Sequence, residues 1–146
     1  MKSGVASLAL CMVLATGASA APAPSSKLLS LDRSGNFLID ADAAELLWRK
    51  NTPARLTKLY PVSRYRFVSE VTGGFTESKT CVVTARAMLL PVVLLPVQGR
   101  KVVYSPIKSA TAFDSAPALD RDRCRDLARD KLTEAIQSLS SALAPT

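Results

Sequence analysis

The residues in this chain with reactive side chains are few. There is no histidine, which removes the commonest general base and the commonest metal ligand. Ser-His-Asp and Cys-His arrangements are therefore absent. Three carboxylates, Glu70, Glu77 and Asp114, stand in segments that read as strands or turns, and a carboxylate hydrolase would need two of them to converge. Ser78 and Lys79 are adjacent but carry no supporting motif for Ser-Lys catalysis. Asp32, Ser34, Asn36 and Asp40 fall at alternate positions, as calcium-loop ligands do. The pattern then fails, because Phe37 stands where that loop needs Gly and Ala43 where it needs a bidentate Glu. Gly73-Gly74 lacks the Gly-Lys-Ser/Thr ending of a phosphate loop. No catalytic residue, metal site or cofactor is expected.

The cysteines point to a covalent constraint. Cys11 lies inside a leading segment, and Cys81 and Cys124 remain in the body of the chain. No C-x-x-C lowers a thiol pKa, so a disulfide between Cys81 and Cys124 is expected. Its formation depends on an oxidising compartment. The first twenty residues supply the route there. Lys2 provides a positive start, Val5 to Thr16 is apolar apart from Ser7 and Thr16, and Ala18-Ser19-Ala20 offers a cleavage site before Ala21. The apolar part is shorter than the ~20 residues a bilayer span requires. The expectation is a signal peptide over 1–20, a tether over 21–26 (Ala-Pro-Ala-Pro-Ser-Ser) and one domain over 27–146. The style of the signal suggests a bacterial periplasm or secretion.

Two surface features rise above background. From Arg49 to Lys108 there are eleven basic side chains and only two carboxylates, Glu70 and Glu77. Arg64, Arg66 and Arg86 on the sheet, with Arg100 and Lys101 nearby, make a candidate basic face for an anionic envelope component or an acidic protein. Nucleic acid is not expected as a partner, since no base-stacking motif accompanies the charge. The second feature is the run from Ala87 to Val97, which lacks any polar side chain. It reads as a buried strand entering a hairpin. Its alternative is an exposed apolar tip, with Leu94 and Leu95 docking on a partner or a membrane interface.

Several elements must position these residues. Lys27 to Leu31 is a candidate short strand. Asp42-Ala43-Ala44-Glu45 has the form of a capping box with Asp42 as N-cap, opening a helix through Leu46, Leu47 and Trp48 to about Asn51. Thr52-Pro53 restarts helical geometry, with Leu56, Leu59 and Tyr60 as its buried side. Arg64 to Thr72 alternates as a strand, Gly73-Gly74 carries a primed-turn signal, and Phe75 to Leu90 returns with Cys81, Val83, Ala85 and Ala87 on one face. Gln98-Gly99 turns the chain into a third strand over Lys101 to Phe113, in which Pro106 marks an edge or bulge. From Cys124 to Leu143 the apolar residues keep a helical stripe that includes Leu127, Leu132, Ile136 and Leu139. On the other side, Asp126 with Arg129 and Asp122 with Arg125 stand at i, i+3 spacing.

The expected architecture is α+β: a small antiparallel sheet of three to four strands packed against a long C-terminal helix, with a short N-terminal helical segment. The expected function is an exported, non-enzymatic binding protein acting through the basic sheet face, such as an inhibitor, immunity-type or envelope accessory factor. A peripheral lipid-binding module using residues 87–97 is the alternative. A carboxylate-dependent hydrolase is a weaker one.

Overall fold

The alternation that begins at Tyr65 becomes a strand that runs straight through its two glycines. The computed structural model describes residues 30–35, 37–94, 101–103 and 105–144. Strand β1 (Ser30–Asp32) precedes helices α1 (Ala41–Asn51) and α2 (Ala54–Leu59). Strands β2 (Tyr65–Phe75), β3 (Thr80–Leu94), β4 (Lys101–Val103) and β5 (Lys108–Pro117) follow, and then helix α3 (Arg121–Leu143). The protein is α+β. Strands β1, β2, β3 and β5 form a mixed sheet in that order, with β1 parallel to β2 and the other pairs antiparallel. At the far end of β3, Val92 to Leu94 pairs instead with β4. The third expected strand is thus two, broken around Pro106 as its missing N–H requires. The segments 1–20 and 21–26, the turn at Gln98-Gly99, and Leu95 and Arg100 lie outside the described residues.

One face of the sheet builds the main core. Phe67 and Val71 from β2, with Cys81, Val83, Ala85, Ala87 and Leu89 from β3, meet the α3 stripe of Cys124, Ala128, Leu132, Ala135, Ile136 and Leu139. Small side chains at Ala85, Ala87 and Ala112 let the helix lie close to the strands. Trp48 of α1 enters the same core and packs on Phe67, with ring centroids 5.3 Å apart. Cys81 and Cys124 are joined, closing a separation of 43 residues at the first turn of α3. A smaller cluster of Val68, Met88 and Leu90 is buried on the opposite face.

Three expectations are corrected by local geometry. Asp40, not Asp42, caps α1: its backbone is extended and its Oδ1 accepts the Ala43 amide at 2.8 Å. Asp42 then sits in the first turn, where the helix dipole favours its charge, and Glu45 pairs with Arg49 one turn on. Leu59 and Leu46 are exposed, whereas Leu56 and Trp48 are buried. The hairpin between β2 and β3 turns at Glu77-Ser78-Lys79, with Lys79 at φ 59° and the Lys79 amide donating to the Thr76 carbonyl at 2.9 Å. That is a three-residue loop closed by a left-handed residue. Gly73 serves a different need. It has φ 136°, and a Cβ there would lie 2.0 Å from the Val82 carbonyl oxygen.

Two stability measurements follow. Reducing the disulfide, or replacing both cysteines with Ala, is expected to cost about 4 kcal/mol in denaturant unfolding, from the chain-entropy relation for a loop of this size. Gly73→Ala is expected to cost about 2 kcal/mol through forced backbone displacement. Gly35→Ala, where nothing lies within 4 Å of the added Cβ, should change the midpoint little.

Candidate functional site

Among the described residues, the three helices all pack on one side of the sheet, since Trp48, Leu56 and the α3 stripe share a single core. The side chains that alternate away from that core therefore make a helix-free face. Pairing sets its composition: Glu70 of β2 stands opposite Arg86 of β3, Thr72 opposite Thr84, and Thr84 in turn opposite Phe113 of β5. Arg86 and Thr72 are exposed, and Phe113 is 62% exposed. Arg86 and Glu70 approach to 4.0 Å, with roughly half and two fifths of each side chain in solvent. Such a pair is screened and leaves both charges available to a partner. Glu70, Thr72, Thr84 and Arg86 line a cleft of about 150 Å³, below the ~300 Å³ at which drug-sized ligand pockets begin. The face suits a flat macromolecular contact better than an enclosed small molecule.

The residues singled out from sequence are only partly brought together. Arg66 and Arg86 share this face, but Arg66 stands opposite Leu90 and Arg86 opposite Glu70. Four positions along a strand put them roughly 13 Å apart. Arg66 is also turned back on the chain, donating to the carbonyls of Val62 and Tyr65. Its charge holds the turn that leads into β2. Arg64 lies in that turn, exposed, and its carbonyl accepts the Val92 amide at 2.6 Å. Leu94 and Lys101 pair through the β3–β4 ladder. The apolar run divides: Ala87, Met88, Leu89 and Leu90 are buried, and Pro91 and Val92 are half-buried. Its first half belongs to the sheet interior.

The candidate catalytic groups are dispersed. Glu70 is on the helix-free face, Glu77 is exposed in the hairpin turn, and Asp114 is on the α3 side, 3.5 Å from Lys131. Ser78 shares a hydrogen bond with Thr76 inside the turn at 2.8 Å. Asp32 Oδ1 accepts the hydroxyls of Ser34 at 2.7 Å and Ser69 at 2.9 Å, which fastens the end of β1 to β2. With Asp40 engaged as the α1 cap, these oxygens already have structural partners. Among the described residues no group of three or more potential metal ligands converges, and no helix is long and apolar enough to cross a membrane.

Phe113, Thr72 and Thr84 are the residues the sequence reading missed. The usable signal was strand alternation past Lys108, which β5 continues to Pro117. No protein-family model matches the chain, and comparison with curated proteins finds no relative. Because the Glu70–Arg86 pair is exposed, Arg86→Gln is expected to shift stability by no more than about 0.5 kcal/mol, measured by thermal or denaturant unfolding. A larger loss would mean that Arg86 serves the fold.

Proposed function

We propose that this chain is an exported, non-enzymatic binding protein of the bacterial envelope that engages its partner through the helix-free face of the sheet. The observation that carries the reading is that face itself. Arg86, two threonines and an exposed phenylalanine stand together on regular strands, backed by a core fastened with a disulfide. Arginine and aromatic residues are the types that binding interfaces favour, and a rigid sheet holds them at little entropic cost. The partner's chemistry is an acidic protein surface or another anionic envelope component, because Arg86 keeps half its side chain in water. An inhibitor, immunity-type or accessory role fits a single flat docking surface. Export is supported by the leading segment and by the Cys81–Cys124 bond, which persists in oxidising compartments. A non-enzymatic role is supported by the separation of Glu70, Glu77 and Asp114.

The test is a photo-crosslinking amino acid placed at Thr72 or Thr84, with Ser138 on the exposed side of α3 as the control position. The two sheet positions are expected to give one discrete adduct in envelope material that contains a second protein rather than a second copy of this chain, and that is lost in Arg86→Glu. Equal labelling from Ser138, or no adduct at either sheet position, would sink the proposal. Flotation with anionic liposomes that is abolished by Leu94→Asp would transfer the reading to a lipid-binding module.

A further inference from the structure

The edge of β5 has a polarity that the ladder itself defines. In antiparallel pairs, successive residues direct their N–H and C=O groups alternately to one neighbour and the other. The Thr76 amide donates to the Thr80 carbonyl at 2.9 Å and the Val92 amide to the Arg64 carbonyl at 2.6 Å. Even-numbered residues of β3 therefore face β2, and odd-numbered ones face β5. The other side agrees, since the Ala118 amide donates to the Lys79 carbonyl at 3.3 Å and the Ile107 amide to the Leu89 carbonyl at 2.9 Å. Because Val83 pairs with Asp114, the even-numbered residues of β5 bond inward to β3. Ser109, Thr111, Phe113, Ser115 and Pro117 direct their backbone groups outward.

Among the described residues no strand lies beyond β5. Pro117 has no amide to offer, which is why a strand edge tolerates it. The Ser115 amide is already taken, donating to Asp114 Oδ1 at 2.7 Å. The outward amides that remain belong to Ser109, Thr111 and Phe113, and this set is symmetric about Thr111. An antiparallel copy of the same strand, related by a two-fold axis at Thr111, would pair Ser109 with Phe113, Thr111 with itself and Phe113 with Ser109. Every remaining donor would then be satisfied.

The side chains favour the same register. It sets the exposed Lys108 opposite Asp114 of the second copy, in the closer, non-hydrogen-bonded type of pair. Asp114 already lies beside Lys131 at 3.5 Å, so its carboxylate would stand between two ammonium groups. On the helix-free face, Phe113 would lie across from Ser109 and beside Thr111, covering part of a ring now 62% exposed.

We infer that β5 is a self-association edge: two copies of this chain join antiparallel about Thr111 into one continuous sheet, held by the Lys108–Asp114 pairs. The two helix-free faces then form a single surface with the Phe113 side chains near its centre and an Arg86 on either side.

Sedimentation equilibrium of the disulfide-bonded protein over a concentration series tests this. The wild type is expected to be a dimer. Thr111→Pro, which removes an outward amide and no bond to β3, is expected to be monomeric with unchanged circular dichroism and melting. Lys108→Asp and Asp114→Lys are each expected to weaken the dimer by about tenfold, since each sets two like-charged pairs face to face. An equimolar mixture of those two variants makes both pairs complementary again and should regain wild-type association. Should Asp114→Lys fail to fold beside Lys131, Thr111→Pro decides alone. A monomer at every concentration overturns the inference, as does a dimer indifferent to Thr111→Pro. A mixture no tighter than its components overturns the register. An extended peptide from another protein as the true occupant would show itself as a monomer that binds such a peptide and loses it in Thr111→Pro.

Discussion

The attachment of α3 to one face of the sheet is the constraint on which the other features depend. Among the described residues, helix covers one side of the strands and none lies on the other. Cys124 in the first turn of α3 bonds to Cys81 near the start of β3. That bond limits where the helix begins, and the alanines of β3 and β5 limit how closely it lies. Halfway along, Lys131 reaches Asp114 on β5 at 3.5 Å while donating to Glu134 at 2.8 Å on its own helix. The hydrogen bond to Glu134 raises the Lys131 pKa against the opposing effect of desolvation, and the charges of Glu134 and Asp114 add to it. A raised cation stabilises the fold throughout the neutral range and loses that contribution only as pH climbs beyond the ordinary lysine range. Helix and sheet are thus held covalently at one end and electrostatically in the middle.

Sidedness follows from that attachment. A strand places successive side chains on opposite faces, so covering one face with helix commits every second residue of β2, β3 and β5 to the other. The apolar cluster of Val68, Met88 and Leu90 occupies one end of this second face, and Glu70, Arg86, Thr72, Thr84 and Phe113 occupy the rest. The same alternation acts on the backbone. It decides which amides of β5 meet β3 and which meet solvent, so the side-chain surface and the hydrogen-bonding edge have one geometric origin.

Much of this was legible in the sequence where a period was long enough to read. The α3 stripe, the alternation of β2 and β3 and the cysteine pairing all emerge with the residues assigned to them. The misses have local physical causes. Asp40 and Asp42 are both competent caps, and only the extended backbone at Asp40 selects between them. Gly73-Gly74 resembles a turn because glycine answers both a turn and a close backbone approach, and here Gly73 answers the second. The true turn at Glu77-Ser78-Lys79 has no glycine, since Lys79 itself takes the left-handed conformation. Strand β1 joins the sheet parallel, through partners such as Ser30 with Phe67 that no local pattern relates.

The basic character of the chain shows why composition and site must be kept apart. Counted along the sequence, the arginines before and within the sheet form one field. In the structure they do different work. Arg66 serves carbonyl oxygens of its own turn, Arg49 serves Glu45, and Arg86 stands beside Glu70 in solvent. A guanidinium that caps backbone carbonyls is held in place by them, and removing it costs the turn as well as a charge. One beside an exposed carboxylate can exchange it for a partner's with little loss. Of Arg66 and Arg86, the two that share the helix-free face, Arg86 is the one whose charge is not tied to backbone carbonyls. Exposed aromatic and hydroxyl groups stand beside it on the same face, a local arrangement that the net charge does not report.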